Sequence, residues 1–124
     1  MLHWIFRFNA VSSDFQRHRR LITASHYRNV FDQPDKKSGE RAFLLLAKRN
    51  NLPVNRLGLA IAKKHVPTAV RRNLIKRLIR EQFRKIESTD SNWDVVVLTR
   101  PAAINVDRAA LAQSLQKQFG KIGL

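Results

Sequence analysis

The chain has 124 residues, 44% of them hydrophobic, and carries 24 Lys and Arg against 9 Asp and Glu, a formal net charge of +15. This length and apolar content suffice for one domain with a hydrophobic core, and the lack of cysteine excludes disulfides, thiol catalysis and thiolate metal sites. A polyanion usually offsets self-repulsion of this size, so nucleic acid is the first candidate partner and the cytoplasm is the expected compartment.

The first twenty residues show no regular period. The opening MLHWIFRFNAVSS is apolar but is interrupted by Arg7, lacks a preceding basic region and is too short to span a bilayer. We therefore predict neither a signal peptide nor a membrane helix. Ending in the run RHRR, residues 1–20 are predicted to be a mobile basic extension, and residues 21–124 a single domain. Positive charge continues to Lys121, so a basic membrane-surface helix is only a minor alternative.

The first half of this domain predicts a helix followed by two strands. Thr23 or Ser25 can cap a short helix that stops at Pro34. After the polar stretch DKKSGE, which we interpret as a turn, the apolar runs RAFLLLAKR and RLGLAIAKK are separated by NNLPVN. Their length and flanking turn residues predict two strands joined as a hairpin.

The second half predicts a long helix, a strand and a last helix. The long helix runs from about Ala69 to Ile86, and WDVVVLTR has the continuous apolar run of a buried strand. Asp107 can cap a final helix that ends at Gly120. The order of elements predicts an α+β or α/β fold in which one sheet packs against helices.

The long helix separates its side chains into two faces. At about 100° per residue, one arc carries only basic and amide groups and the opposite half is apolar. A solvated face usually mixes Glu with Lys four residues apart, yet only Glu81 borders this arc. Because the planar fork of arginine suits phosphate, we interpret the arc as an anion-binding face. The basic arc comprises Arg72, Asn73, Lys76, Arg77, Arg80 and Arg84; the apolar half comprises Leu74, Ile75, Leu78, Ile79, Phe83 and Ile86.

Groups that could cleave nucleic acid unaided are not clustered in the sequence. The nine carboxylates are scattered from Asp14 to Asp107, so no pair predicts a two-metal site. Four histidines lack metal-ligand spacing, and acid-base cleavage by two of them is a weak alternative to a surface or packing role for each. They are His3, His18, His26 and His65. We predict no catalytic residue and no metal bound by the protein.

The segment AKKHVPTAVRRNLIKRLIREQFR, from Ala62 to Arg84, resembles the signature of the bacterial ribonuclease P protein component. In that family a Lys-Lys strand end precedes an Arg-Asn-Arg-x-Lys-Arg-x-x-Arg helix, and the likeness continues through HYRNVF, RLGLAIAKK and WDVVVLTRPAA. Leu74 stands where the family usually has its second Arg. We expect this leucine to extend the core face and to remove one contact.

The resemblance implies an α+β fold, shared with one domain of a ribosomal protein, in which a single sheet of about four strands packs against helices. It also implies a left-handed βαβ crossover, although such crossovers are right-handed in about 98% of cases.

The resemblance further implies a role as the protein subunit of ribonuclease P, the ribonucleoprotein endonuclease that removes the 5′ leader of precursor tRNA. In such an enzyme Mg²⁺ bound to the RNA carries the hydrolysis, and the protein alone is not expected to be active. Its partners are the catalytic RNA and precursor tRNA, with no obligate protein partner. By position in the motif, the residues that bind catalytic RNA are Arg72, Asn73, Lys76, Arg77 and Arg80, and those that bind the leader are Tyr27, Phe31, Lys63 and Lys64.

Simpler interpretations of the leader residues remain open. Tyr27 and Phe31 lie four apart on one side of a helix, so core packing competes with stacking on leader bases. Lys63 and Lys64 can equally be charges at a strand end. A ribosomal-type protein that binds rRNA would share the charge and size but lack the arginine pattern. A DNA-binding regulator would need a second helix just before the basic helix, where the sequence predicts a strand.

Overall fold

The computed structural model describes residues 19–21, 23–87 and 89–124. These residues form one four-stranded sheet and three α-helices, which confirms the predicted α+β fold. The elements are α1 (Ala24–Asp32), β1 (Lys36–Gly39), β2 (Phe43–Arg49), β3 (Arg56–Ala60), α2 (Ala69–Arg84), β4 (Trp93–Thr99), a 3₁₀ turn (Pro101–Ile104) and α3 (Arg108–Ile122). None of the helices within these ranges is both long and apolar enough to cross a membrane.

The strands lie in the order β1-β2-β4-β3, with β3 parallel to β4 and the other neighbours antiparallel. The predicted hairpin between β2 and β3 is wrong, because β4 inserts between them. The actual hairpin joins β1 to β2, and its turn is closed by the Glu40 N–H, which donates to the Phe43 carbonyl at 2.9 Å. The sequence KKSG of β1 lies in the stretch predicted to be a turn, since an edge strand of polar residues carries no apolar pattern.

The crossover from β3 through α2 to β4 is left-handed. Leu57 directs its side chain into the core beneath α2, and its carbonyl accepts the Leu21 N–H at 3.0 Å on the side away from β4. Consider the sheet viewed from the α2 side with β3 running upward. An L-residue of β3 whose side chain points toward the observer then directs both its N–H and its C=O to the right. In this view β4 lies to the left of β3, and α2 lies in front of the sheet. The chain that leads from β3 through α2 to β4 therefore makes a left-handed crossover, whereas most such crossovers are right-handed.

Alternation along the strands gives the sheet two unequal faces. Side chains such as Leu45, Leu57, Val95 and Val97 form the larger core together with α2 and α3. The opposite face packs against α1, and the strand register arranges it in three rows. The lower row is Lys48, Asp94 and Arg56; the middle row is Leu46, Val96 and Gly58; the upper row is Leu44, Leu98 and Ala60.

Polar side chains define the helix ends. Thr23, Thr68 and Asp107 cap α1, α2 and α3, each accepting a backbone N–H from three residues further along the chain. Asp107 is the predicted cap, and Thr23 is one of the two candidates for α1. α3 extends two residues beyond the predicted end, to Ile122, because Gly123 adopts the left-handed conformation (φ 105°) that terminates a helix at little cost.

Candidate nucleic-acid interface

The basic arc of α2 is held at the surface by the opposite side of the same helix. Ile75, Leu78, Ile79 and Phe83 are buried, as the apolar half of the helical wheel predicts. Leu74 is partly buried and packs against the same core, so the leucine at the motif position does extend the core face. Asn73 and Arg77 are exposed, whereas Arg72, Lys76 and Arg80 are half-buried.

Positive charges in the arc lie close to one another. Burial, followed by the positive charges of Arg20 and Arg84, lowers the pKa of Arg80. Burial, followed by Arg80 and Arg72, likewise lowers the pKa of Lys76. In the part of the chain that the structure describes, the ion pairs join Arg56 to Asp94 and two lysines of α3 to Glu40, and none involves an arginine of the arc. An anionic ligand bound at the arc would relieve this mutual repulsion.

Two arginines before α1 enlarge this surface. Arg20 forms a parallel bridge with Leu57 at the edge of β3, and its charge acts on Arg80. The Arg19 guanidinium lies 5.3 Å from the centroid of the Phe83 ring, and burial, then Arg84, lowers its pKa. The sequence analysis assigns both residues to the predicted basic extension, residues 1–20. The run RHRR indicates their charge, but nothing in it indicates that they lie beside α2.

The first two arginines of α2 contact backbone carbonyls. Arg72 Nη1 donates to the carbonyls of Val66 at 3.0 Å and Pro67 at 2.7 Å. Arg71 Nη2 donates to the carbonyl of Ala103 at 2.9 Å and to that of Val106. Arg72, predicted to bind catalytic RNA, thus holds the segment before its own helix.

Tyr27 and Phe31 differ sharply in exposure. The Tyr27 side chain is fully buried: its ring lies over Gly58 and its hydroxyl accepts the Leu59 N–H at 3.3 Å. Core packing, the alternative left open for Tyr27, is therefore what the structure shows, and its ring is not an exposed stacking surface. Phe31 lies beside it, with ring centroids 6.4 Å apart, and is only partly buried.

A partly exposed apolar patch, formed by Phe31, Leu44 and Leu98, lies on the α1 face of the sheet. The middle row is buried under α1, but Leu44 and Leu98 of the upper row are half-exposed and pack against the same small cluster as Phe31. The lower row is polar and closed. There Arg56 donates two hydrogen bonds to Asp94, at 2.8 and 2.7 Å, and Lys48 donates to the Gln33 carbonyl at 3.0 Å.

The lysine turn, which we define as residues 62–67, follows β3 at the carboxyl ends of the two parallel strands. Lys63 and Lys64 are exposed at its tip. The turn is tied to the end of β4: the Ala62 N–H donates to Thr99 Oγ1 at 3.1 Å, and His65 Nδ1 lies 2.8 Å from the Thr99 carbonyl. Because that carbonyl can only accept, Nδ1 must carry the hydrogen. These lysines are therefore presented by a fixed turn.

The described residues contain no cluster of three or more His, Cys, Asp or Glu that could hold a metal ion. His26 lies near Arg56 and Asp94 at the start of β4, whereas His65 contacts Thr99 at its end. Five residues of extended strand separate these positions by roughly 16 Å. His3 and His18 lie outside the described residues. Among the described residues, His26 and His65 are therefore too far apart to act as a pair on one phosphate.

Comparison with known proteins identifies the family. The family model described as Ribonuclease P matches residues 15–123. A ribonuclease P protein component from Pseudomonas aeruginosa is 46% identical over 112 residues, covering 90% of this chain and 80% of the relative. The chain belongs to the ribonuclease P protein family.

Further members of the ribonuclease P protein family agree with this assignment. The component from Pseudomonas syringae pv. tomato is 42% identical over 112 residues, covering 90% of this chain and 81% of that protein. The solved ribonuclease P protein of Staphylococcus aureus superimposes with a TM-score of 0.75 at 24% identity, covering 85% of this chain and 95% of that one. For the Thermotoga maritima protein the TM-score is 0.62 at 25% identity, covering 83% and 93%. The ribosomal-type alternative is accordingly not favoured.

Proposed function

We propose that this protein binds the catalytic RNA of ribonuclease P through the basic arc of α2 and the 5′ leader of precursor tRNA across the apolar patch that contains Phe31. The observation that carries the proposal is the separation of the two surfaces. Among the described residues no ion pair involves an arginine of the basic arc, whereas a partly exposed ring and two partly exposed leucines lie on the opposite face of the sheet, and two exposed lysines follow β3 at its carboxyl end. The first surface suits a phosphate backbone, and the second suits a single strand whose bases can stack.

In this proposal hydrolysis is carried by the RNA, and Mg²⁺ held by the RNA supplies the chemistry of the reaction. The protein contributes affinity and position. Arg77, Arg80 and Arg84 form charge-assisted hydrogen bonds with phosphates, and Asn73 adds an exposed amide that can reach a sugar or a base edge. Phe31 accepts any base, which suits an enzyme that must process many different leaders. The cytoplasm is the compartment in which we propose it acts.

The first experiment is reconstitution with the cognate catalytic RNA at low Mg²⁺, with cleavage of precursor tRNA as the readout. We expect the protein to stimulate cleavage by the RNA, and RNA-free protein with Mg²⁺ to leave the precursor intact. Robust cleavage by rigorously RNA-free protein would contradict the division of labour between RNA and protein.

The basic arc is tested by Arg77→Ala and Arg80→Ala. Each change should weaken assembly with the catalytic RNA and reduce the slope of log affinity against log salt by roughly 0.7 to 0.9 for each phosphate that the variant no longer neutralises. Leader length should not alter that effect. Arg108→Ala is the matched control, because it removes one exposed arginine from α3 instead. Equal effects of Arg77→Ala and Arg108→Ala would show that only net charge matters.

The apolar patch is tested by Phe31→Ala in the assembled holoenzyme. We expect assembly to be intact, affinity for a precursor with a leader to fall by about 1 to 3 kcal/mol, and affinity for mature tRNA to be unchanged. Val30→Ala is the matched control, since Val30 is fully buried on the same helix and should affect stability alone. An unchanged ratio of precursor to mature affinity, with a sharp fall in melting temperature, would reject the leader role of Phe31.

A further inference from the structure

Arg72 occupies the first arginine position of the family motif, yet its guanidinium contacts the protein itself. Nη1 donates to two consecutive carbonyls, those of Val66 and Pro67, at 3.0 and 2.7 Å. Both carbonyls precede the α2 cap Thr68 and belong to the lysine turn. The side chain thus reaches back from the first turn of α2 to the segment that carries Lys63 and Lys64.

The lysine turn is fixed at its other side by the end of β4. The Ala62 N–H and the His65 ring both contact Thr99, and the N–H groups of His65 and Val66 donate to the Ala62 carbonyl at 3.1 and 3.0 Å. Val66 also packs into the core shared with α2, so Arg72 is not the turn's only contact with the helix. Among the hydrogen bonds of the described residues, however, those of the Arg72 guanidinium are the ones that join a side chain of α2 to the turn. We infer that this guanidinium helps to fix the position of the two lysines relative to the helix.

Arg77 offers the natural comparison within the same helix. It is exposed, and the hydrogen bonds and ion pairs of the described residues include none from its side chain. Arg72 is half-buried, and its donors at Nη1 are already satisfied by carbonyls. A phosphate that engaged Nη1 of Arg72 would compete with two hydrogen bonds that the free protein already makes, and only the Nε and Nη2 donors are left for such a ligand.

We propose that Arg72 is a positioning residue, which holds the Lys63–Lys64 turn in place for the leader instead of binding the catalytic RNA. The inference rests on the proposed function of the two surfaces. It assigns Arg72 to the surface that binds the leader instead of the surface that binds the catalytic RNA. Catalytic RNA bound to the arc immobilises α2, and Arg72 transmits this constraint to the turn. The leader then meets lysines that are already in place, so less ordering opposes its binding.

The test uses reconstituted holoenzyme with wild-type protein, Arg72→Ala, Arg77→Ala, Lys63→Ala/Lys64→Ala and the triple variant with Arg72→Ala. Two readouts are taken: the salt slope of assembly with the catalytic RNA, and the ratio of affinities for precursor and leaderless tRNA. We expect Arg72→Ala to leave the salt slope unchanged and to lower the affinity ratio by about three- to tenfold, a change of at most one tenfold step in the dissociation constant. Arg77→Ala should reduce the salt slope and leave the affinity ratio unchanged.

Two further comparisons isolate the route by which Arg72 acts. Adding Arg72→Ala to Lys63→Ala/Lys64→Ala should lower the affinity ratio less than it does alone, since residues that act through one another are not additive. Arg72→Gln keeps an N–H donor without the charge and should recover part of the ratio. The proposal is overturned if Arg72→Ala reduces the salt slope as Arg77→Ala does with the ratio unchanged, or if its effect adds fully to that of the lysine changes.

Failure of the proposed function would give a different result. If wild-type protein did not raise the precursor-to-leaderless affinity ratio above that of the catalytic RNA alone, there would be no leader surface for Arg72 to position. If wild-type protein raises the ratio and Arg72→Ala raises it equally, the leader surface stands and only the role of Arg72 is rejected.

Discussion

The two faces of the sheet are built from the same strands but are packed very differently. Among the described residues, twenty buried side chains form the cluster beneath α2 and α3, whereas six form the cluster beneath α1. Two helices bury the apolar side chains of the first face. On the second, one short helix covers the lower and middle rows and leaves Leu44 and Leu98 half-exposed. The larger cluster anchors the apolar side of α2, opposite the basic arc, and the smaller cluster leaves apolar side chains of the sheet partly exposed.

The strongest test of this difference compares two phenylalanines, one from each face. Phe83 is fully buried and meets Phe119 edge-on, with ring centroids 5.9 Å apart. Phe83→Ala should lower the free energy of unfolding by about 3 to 5 kcal/mol, because it removes a buried ring and leaves a cavity. Phe31→Ala should cost less than half as much. Urea denaturation of both variants measures this, and equal losses of stability would mean that the α1 face is as tightly packed as the other.

A smaller effect is expected where α1 meets the sheet most closely. A Cβ at Gly58 would lie 2.6 Å from Tyr27 Cε1 and 2.9 Å from Cζ, so Gly58→Ala must displace the ring and α1 with it. We expect a loss of about 1 to 3 kcal/mol in unfolding free energy. Gly120→Ala is the control: nothing lies within 4 Å of its added Cβ, and alanine in a helix should stabilise by roughly 0.5 to 1 kcal/mol. A neutral Gly58→Ala would show that α1 adjusts freely over the sheet.

The smallest effect concerns pH and the start of α1. His26 Nδ1 accepts the Thr23 N–H in the capping box, and this hydrogen bond requires an unprotonated Nδ1. Burial and, to a smaller extent, the positive charge of Arg56 lower the pKa of His26, while Asp94 has the opposite effect. The unfolded chain therefore binds this proton more readily than the folded protein. The stabilising contribution is full above the ordinary histidine value of about 6.5 and is lost as pH falls below it.

His26→Gln should remove that pH dependence and keep the cap, since glutamine suits the third position of a capping box. Melting temperature measured from pH 8 to pH 5 gives the comparison. We expect the wild-type protein to lose more stability over this range than the variant. Identical slopes would show that His26 does not couple protonation to the α1 face.

Patterns within a single element are predictable from sequence. The two faces of α2, the core position of Leu74 and the Asp107 cap all follow from spacing along one helix, which local geometry fixes. Pairing between distant segments is not predictable in this way. The β2–β3 hairpin is inferred because the two runs are neighbours in sequence, but β4 separates them, and no local signal in either run indicates a third strand between them.

The sequence predicts which residues form the candidate site better than it predicts what those residues contact. Arginine spacing and the family resemblance locate the basic arc, but the sequence does not show that Arg72 faces two carbonyls while Arg77 faces solvent. In the same way Tyr27 and Phe31 are equivalent by spacing. The distinction comes from Gly58, whose missing side chain lets the Tyr27 ring lie directly on the sheet.

The strand order has a consequence for synthesis on the ribosome. β4 is an interior strand that pairs with both β2 and β3, yet it is the last strand to be made. A nascent chain that has reached the end of α2 can form the β1–β2 hairpin, but β2 and β3 each still lack the neighbour that will join them. Until Trp93–Thr99 emerges, both strands expose unpaired backbone to other chains. Completing the sheet is thus an insertion between two strands already made rather than an addition at an edge.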